Sequence, residues 1–535
     1  MTSRTLTLGE STYPVILPNV RDPRLNVAAV IITIHVLGQV GLRFQVSVPQ
    51  IMASILTCAI LEVALTFRRR RSFVWPASAM LTGSGVALIL RVPDTPLDDP
   101  WTTHAWYVFA GVGAFSLLTK YVIRHRGTHV FNPSNIGLVV VFVVFGSTRV
   151  EPLDFWWAPL NGWMVAAYAV ILVGGVLITR RLHLLAAAAT FWMALTAGVG
   201  LLAASGHCMT ARWAFAPVCG FDFWRVIVTS PEVLIFLFFM ITDPKTVPLG
   251  RVGRVVFGVL VAVTSTLLMA PQTDEFGTKV ALLGGLVIAC ALRPLVDRLV
   301  PEPGSADDDL AQFAKRLTTG RRSGTAFVRP NVVNGVVRVG LIGAAVGVVA
   351  VGVVFAGTPA RGVVVAGADD VLGRVPHDVD PGTFPTISVE QGVVDWNHEI
   401  VGSGAQAIVL TLAENLELES QALLRNDAAI LSAVDHGDRL DEMQARLAEA
   451  AATGTTVIER YQIDDVHVTL LVPYGRQDGL SLGLESRGTV TTERYDAAGD
   501  VQARTSSPFA TTFVLRQATG GRWLNVDVLA PGADR

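Results

Sequence analysis

The sequence has few charged residues and very few cysteines for its length. Only 16% of its 535 residues are charged, and its four cysteines are too few for a disulfide-stabilised scaffold. The net charge of −2 argues against a nucleic-acid partner, because proteins that bind nucleic acids usually carry a strong positive charge. The first residues, Met1 to Arg24, contain no long apolar run, so we expect no cleavable signal peptide.

Long apolar runs dominate the part of the chain up to about Gly357. The composition is 51% hydrophobic and the mean hydropathy is +0.49, which is too apolar for an ordinary soluble protein. Runs of roughly 17–22 apolar residues have the length of bilayer-spanning helices, and about eleven are predicted. They are Val27–Phe44, Val48–Phe67, Phe73–Val92, His104–Ile123, Asn132–Gly146, Gly162–Thr179, Leu184–Ser205, Pro231–Thr242, Val252–Ala270, Lys279–Val300 and Val333–Gly357.

Basic residues predict the orientation of these helices. Arg68 to Arg71, Arg124 to Arg126, Arg180-Arg181 and Lys245 to Arg254 all fall on one side if the helices alternate. Excess Lys and Arg marks the cytoplasmic side. We therefore expect a multi-pass protein of the plasma membrane, with a cytoplasmic N-terminus and an extracytoplasmic C-terminal domain.

This pattern predicts five parts of the chain. They are a cytoplasmic tail (1–26), a transmembrane domain (27–300), a cytoplasmic linker (301–332), an additional transmembrane helix (333–357) and an extracytoplasmic α+β domain (358–535). Cys208 and Cys219 share one predicted outer loop, where both a disulfide and free thiols are consistent with the sequence. Cys58 and Cys290 lie within predicted spans and are expected to be small core residues.

The C-terminal part has the pattern of an α+β domain. Gly404 to Ala452 has apolar residues at helical spacing, and six alternating runs between Thr456 and Val528 predict strands. The end of the chain, Phe513 to Val526, loosely resembles the cone-shaped fold of nuclear-transport-factor-type domains. The segment Asp435-His436-Gly437-Asp438 could suggest ligands, but a helix-capping turn is the favoured interpretation.

Two apolar segments are interrupted by proline and polar residues. One ends in Thr242-Asp243-Pro244-Lys245, and the other begins at Asn132-Pro133. Non-helical backbone at membrane depth is tolerated only where it is buried in protein or lines a cavity. Paired interruptions in two halves of a membrane protein predict a binding site at the interface of the repeats. Simple helix capping at Asn132, and pairing of Asp243 with Lys245, are the structural alternatives.

Two further positions allow a functional and a structural interpretation. Thr82-Gly83 lies inside the third apolar run, where small residues either let a flat ring approach or serve close helix packing. Lys120 lies at the end of the fourth run, where the ordinary interpretation is a side chain that extends to the membrane interface.

Taken in order, these motifs resemble the RnfD/NqrB family of membrane electron-transport subunits, including its actinobacterial UnbU-like branch. The resemblance covers roughly Phe73 to Arg298 and includes Leu90 to Pro93 and Arg293 to Asp297. It implies ten spanning helices in two inverted repeats and a flavin, FMN or riboflavin, bound between them. The residues it implies as cofactor-binding are Thr82, Gly83, Lys120, Asn132, Pro133, Thr242, Asp243 and Lys245.

One departure from the family concerns covalent attachment of the flavin. The family attaches FMN to the Thr of a Ser-Gly-Ala-Thr motif, whereas the corresponding loop here, Gly146 to Asp154, offers only Thr148. We therefore expect a non-covalent flavin. The expected partners are the lipid bilayer and other redox subunits or extracytoplasmic electron-carrier proteins.

Two other functions are compatible with the sequence. The same scaffold could be a transporter or channel for a small polar metabolite without redox chemistry, since interrupted helices also line transport cavities. Alternatively, the C-terminal domain could be the working part and the helices its anchor, although so many helices exceed what an anchor needs. No catalytic residue and no metal ligand set is predicted.

Overall fold

A computed structural model of the protein divides into two compact units. It describes residues 2–8, 11–19, 22–42, 44–93, 95–96, 99–125, 127–153, 162–211, 214–305, 307–319, 332–361, 371, 375, 384–471, 481–518 and 522–530. The first unit comprises Met1–Thr210 and Val218–Val363, and the second comprises Ala211–Pro217 and Val364–Arg535.

The first unit is built from apolar helices. They are α1 (Pro23–Val40), α2 (Val48–Arg70), α3 (Ala77–Ile89), α4 (Trp106–Val122), α5 (Pro133–Phe145), α6 (Gly162–Arg181), α7 (Leu185–Ala204), α8 (Gly220–Thr229), α9 (Pro231–Ile235), α10 (Arg251–Met269), α11 (Glu275–Leu299), α12 (Leu310–Thr319) and α13 (Val332–Ala356). Among the described residues, seven helical segments are long and apolar enough to cross a membrane. The prediction of a helical membrane part followed by an α+β domain agrees with this architecture at that level.

Several of these helices begin at a polar cap followed by proline. Asp22, Ser47, Asn132 and Ser230 each accept a hydrogen bond from a backbone N–H in the first turn of the helix that follows. A cap satisfies one of the unpaired N–H groups at a helix start, and proline has no N–H to satisfy. The local sequence therefore fixes the starts of α1, α2, α5 and α9.

The predicted single span Pro231–Thr242 differs in the structure. Its first turn is α9, and the next residues, Phe236–Met240, form a π-helix that ends before Thr242. A separate helix, α8, precedes Ser230 and was not predicted. The π-helix is wider than an α-helix, and such segments often occur at functional sites.

The N-terminal tail and the linker contain more structure than predicted. Strands β1 (Thr2–Leu8) and β2 (Ser11–Leu17) form an antiparallel hairpin, and β2 pairs in parallel with β3 (Phe73–Val74). In the linker, α12 is helical, and Asp308 accepts a hydrogen bond from the backbone N–H of Val252 at 3.0 Å. The linker segment 320–331 lies outside the described residues.

Short strands close several loops of the first unit. Strands β4 (Leu90–Arg91) and β7 (Glu151–Pro152) pair with each other, as do β5 (Arg124–His125) and β6 (Thr128–His129). Strands β8 (Cys208–Ala211) and β9 (Ala214–Cys219) form a further pair between α7 and α8.

The second unit packs helices against a five-stranded sheet. The strands are β10 (Thr386–Val389), β11 (Thr456–Leu471), β12 (Ser481–Tyr495), β13 (Val501–Gln517) and β14 (Trp523–Leu529). The sheet order follows the numbering, with β10 parallel to β11 and the other pairs antiparallel. Its core includes Leu412, Val466, Leu484, Phe513 and Leu515.

The predicted boundaries in this unit needed correction in three places, one of which is that the predicted run Thr489–Tyr495 and the run before it belong to one strand, β12. The predicted helix Gly404 to Ala452 is three helices, Ser403–Arg425, Ala428–Val434 and Gly437–Thr453. The runs predicted as separate strands before and after Asp465 are one strand, β11, with an irregularity between Ile463 and Asp465. A bulge changes which face a side chain occupies, so the alternation breaks although the strand continues.

Candidate functional site

The two interrupted segments of the sequence meet at Asn132. Its side-chain Nδ2 donates a hydrogen bond to the carbonyl of Met240, the last residue of the π-helix, at 3.1 Å. Its Oδ1 accepts from the backbone N–H of Asn135 at 3.3 Å and from the hydroxyl of Ser134 at 2.9 Å. Asn132 therefore caps α5, with Pro133 in the first turn, and also joins the two segments.

Asp243 pairs with a histidine that the sequence analysis did not identify. Its Oδ2 lies 3.1 Å from Nε2 of His129, and its Oδ1 accepts from the backbone N–H of Lys245 at 3.0 Å. The predicted link between Asp243 and Lys245 therefore involves the Lys245 backbone. The hydroxyl of Thr242 donates to the carbonyl of Phe238 in the π-helix that precedes it.

Lys120 forms an ion pair with Glu62 on the neighbouring helix α2. Its side chain is 12% exposed, and its Nζ lies 3.2 Å from Oε1 of Glu62. Nζ also donates to the hydroxyl of Ser78 at 3.3 Å, and the hydroxyl of Thr82 donates to the Ser78 carbonyl at 3.1 Å. Lys120 on α4 thus contacts both Glu62 on α2 and Ser78 on α3.

Gly83 serves close packing between α2 and α3. A Cβ atom added at Gly83 would lie 2.6 Å from the Ser54 carbonyl oxygen, and the Ser54 hydroxyl donates to the Gly83 carbonyl at 2.8 Å. The space beside Gly83 is thus filled by the backbone of α2. A flat ring does not fit there, so the structural interpretation of Thr82-Gly83 is correct.

Two buried polar atoms near Asn132 have no hydrogen-bond partner. They are Oδ1 of Asn135 and the hydroxyl of Ser116, on residues that are 1% and 0% exposed. The Asn135 Nδ2 is used, because it donates to the Leu283 carbonyl on α11 at 3.0 Å. Unsatisfied polar groups are rare in protein interiors, and each requires an explanation. The Ser116 hydroxyl packs against Gly137 on α5, so among the described residues only Oδ1 of Asn135 is a candidate contact for a ligand or water.

We define the polar site as Asn132, Asn135, His129, Lys120, Glu62, Asp243 and Lys245. Its members come from stretches of the chain far apart in sequence, since His129 and Asp243 are separated by 114 residues. The carbonyl of Lys245 accepts from Arg293, which adds α11 to the same region. The site therefore includes four predicted residues and three residues that contact them, whereas Thr82 and Gly83 pack between α2 and α3.

Glu62 and His129 were missed by the sequence analysis, although the sequence contained a signal for each. Glu62 is a carboxylate in the middle of the apolar run of α2, and an ionisable residue inside a spanning segment is a functional candidate by default. His129 lies three residues before Asn132, next to a motif that had been selected.

A second group of charges lies between α9 and α11. Lys279 is 5% exposed, and its Nζ lies 2.6 Å from Oε1 of Glu275 and 3.9 Å from Oε1 of Glu232. Glu232 and Lys279 line a cavity of about 30 Å³ that also reaches Phe236 and Met240. This volume suffices for about one water molecule.

The second unit contains a buried polar network instead of the predicted capping turn. The helix Gly437–Thr453 has no side-chain cap, and Asp435 is 1% exposed beneath it. Arg439 donates to both oxygens of Glu419, with Nε–Oε1 at 2.9 Å, and Asn525 donates to Glu419 at 2.9 Å. In the part of the chain that the structure describes, no group of three or more His, Cys, Asp or Glu could hold a metal ion.

Comparison with known proteins identifies no family. No protein-family model matches the chain, and no curated protein matches it. The resemblance to RnfD/NqrB subunits therefore rests on the ordered motifs of the sequence and stays a prediction.

Proposed function

We propose that the helical unit is a membrane-embedded, flavin-binding subunit of an electron-transport system. The observation that carries this proposal is the convergence of separately predicted motifs on the polar site. Asn132 bonds the carbonyl of Met240, and the adjoining Asp243 bonds His129. These two bonds bring the Asn132-Pro133 motif and the Thr242-Asp243 motif together, and this juxtaposition supports a common function for them.

The residues of the polar site fit part of a flavin. An isoalloxazine ring requires an apolar environment with a few donors and acceptors fixed at its pyrimidine edge. Asn135 offers an acceptor, Oδ1, that has no partner among the described residues, and Lys120 and Lys245 are the positively charged members of the polar site. Gly83 does not contribute. When bound, a flavin supplies both one-electron and two-electron redox chemistry.

The packing of the helices supports two inverted halves with ten spans. In the first half α2 contacts α3 and α4, and α4 contacts α5; in the second, α7 contacts α8 and α10, and α10 contacts α11. The two halves contact each other through α1 with α6 and α5 with α11. These contacts support the proposal of two inverted repeats, whose interface would hold the binding site.

A plasma-membrane location accounts for the exposed side chains of the first unit. Val122, Val143, Leu177 and Phe355 are each more than 60% exposed, which suits contact with lipid tails. Arg68 to Arg71 would face the cytoplasm under the positive-inside rule. In this orientation the second unit is extracytoplasmic, and partner redox subunits or electron-carrier proteins would supply and accept electrons.

The visible spectrum of detergent-purified protein tests the proposal. We expect flavin absorbance near roughly 450 nm, and acid precipitation should release the flavin into the supernatant. Absorbance that stays with the pellet would indicate covalent attachment, and Thr148→Ala would then be the variant to examine. A colourless protein that neither FMN nor riboflavin reconstitutes would contradict the proposal.

Transport of a small polar metabolite is a second candidate, favoured by the charges between α9 and α11. Lys279 and Glu232 line a cavity that continues along the π-helix to Met240, whose carbonyl belongs to the polar site contacts. Buried ionisable residues inside a helical membrane unit, such as those of the polar site and those between α9 and α11, are typical of substrate pathways. Uptake by proteoliposomes that Lys279→Met abolishes would support transport, and a flat response to a metabolite panel would exclude the tested compounds.

A further inference from the structure

Cys208 and Cys219 form a disulfide bond, and the two residues differ in exposure. Cys208 is 8% exposed, whereas Cys219 lies exposed at the surface. Cys208 is the first residue of β8 and Cys219 is the last residue of β9, and 11 positions separate them in the sequence. Cys58 and Cys290 are buried free thiols, so neither can readily replace the pair in exchange with an external thiol.

Accessibility distinguishes a disulfide that can exchange from one that only stabilises a fold. Exchange requires a thiolate to reach one sulfur, while the other sulfur leaves with the electron pair of the bond. A groove of about 390 Å³ opens directly after Cys219, with Gly220, Phe221 and Trp224 among its lining residues. Phe221 is 70% exposed. The accessible cysteine therefore adjoins an open, concave surface.

We propose that Cys208–Cys219 is a thiol–disulfide exchange site for an extracytoplasmic dithiol protein. A thiolate of the partner attacks the Cys219 sulfur, the S–S bond breaks, and Cys208 leaves as a thiolate that takes a proton from water. The partner's second thiolate then attacks its own sulfur in the mixed disulfide and displaces Cys219, which is protonated in turn. The partner becomes a disulfide, and its two electrons reside in the thiols of Cys208 and Cys219.

This inference goes beyond flavin binding and does not require it. The exchange site and the polar site share no residue, so a protein without flavin could still exchange, and a flavoprotein could carry an inert disulfide. The exposure difference also assigns separate roles. Cys219 is the sulfur that forms the mixed disulfide, and Cys208 is the sulfur that leaves as a thiolate.

Single-cysteine variants of the full chain test these roles. Cells that produce Cys208→Ala or Cys219→Ala are quenched with acid, alkylated, and analysed on non-reducing gels for mixed disulfides. Cys208→Ala retains the accessible thiol and should accumulate a mixed disulfide with a partner that reducing agent releases. Cys219→Ala should show a loss of this species. Equal trapping by the two variants, or trapping by neither, would overturn the proposal.

Native reduction of the unmodified protein provides a second measurement that does not depend on the variants folding. The purified protein is incubated with dithiothreitol, and its accessible thiols are labelled while intrinsic fluorescence reports that it stays folded. We expect two additional labelled thiols at Cys208 and Cys219, identified by peptide mass. A bond that is reduced only after denaturation would be a structural disulfide and would overturn the inference.

Discussion

Glu62 on α2 forms a buried ion pair with Lys120 on α4, although 58 residues separate them in the chain. Nζ lies 3.2 Å and 3.3 Å from the two carboxylate oxygens, and the side chains are only 17% and 12% exposed. Isolated charges in an apolar environment are costly, so each residue stabilises the charged form of the other. The pair holds three helices at the edge of the polar site.

Replacing one partner of this pair should destabilise the protein more than replacing both partners. Glu62→Gln or Lys120→Met leaves one buried charge without its partner, and each should cost about 3–5 kcal/mol. The double variant should lose less than the sum, because no unpaired charge remains. Unfolding midpoints in detergent measure the difference, with the exposed Arg70→Met on α2 as the control. Additive single effects would show that the two residues are not coupled.

The contact between Gly83 and Ser54 predicts a second stability effect. Gly83→Ala places a methyl group 2.6 Å from the Ser54 carbonyl oxygen, so α3 must move away from α2. We expect a clear fall in the unfolding midpoint. Gly111→Ala on α4 is a matched control, because nothing lies within 4 Å of a Cβ atom at that position. Alanine there should be neutral or stabilise by up to about 1 kcal/mol. Equal effects of the two substitutions would contradict the packing role of Gly83.

Local signals mark where two of the helices begin. Asn132-Pro133 and Ser230-Pro231 contain a capping side chain and a proline, and both helices start at the expected residue. These signals act within one turn, so they do not depend on the rest of the chain. The helix α5 was therefore predicted almost to the residue.

Long-range contacts could not be predicted in the same way. The pairs Glu62–Lys120 and His129–Asp243 depend on how helices pack, and the sequence spacing of 58 and 114 residues carries no information about them. The π-helix Phe236–Met240 was missed for a related reason, because its apolar pattern matches that of an ordinary helix. The motifs predicted candidate site residues, while the residues that contact them could be identified only from the structure.

In the second unit, Asp435 is buried beside Glu419 and predicts a pH dependence. The Asp435 side chain is 1% exposed and interacts with the side chains of Glu419 and Asn525. Burial raises the pKa of Asp435 well above its usual range, and the charge of Glu419 raises it further. The folded state thus binds this proton more tightly than the unfolded state, in which the pKa is about 3.8.

The sign of the effect follows from this preference. The contribution of Asp435 to stability is fully present below the unfolded pKa and is lost as the pH rises toward the folded pKa, by up to about 1.4 kcal/mol per unit. Asparagine has nearly the same shape as aspartic acid but does not titrate, so Asp435→Asn should remove this pH dependence and stabilise the second unit at neutral pH.

Hydrogen exchange in the full-length protein measures this prediction locally. After correction for intrinsic rates, amides of the helix Ser403–Arg425 and of β14 should lose protection as the pH rises in the unmodified protein. In Asp435→Asn the protection should stay nearly constant. The exposed Asp464→Asn on β11 is the control and should behave as the unmodified protein. A variant that loses protection at neutral pH would indicate that the Asp435 carboxylate is ionised and favourable.

The binding of flavin at the polar site is the central claim, and a titration of purified protein with FMN and riboflavin tests it most directly. We predict saturable binding of one flavin per chain, seen as quenching of flavin fluorescence. Asn135→Leu should lose most of this binding, and Thr190→Ala, which is partly exposed on α7, should leave it unchanged. No binding by the unmodified protein, or equal binding by Asn135→Leu, would contradict a flavin site at Asn132 and Asn135.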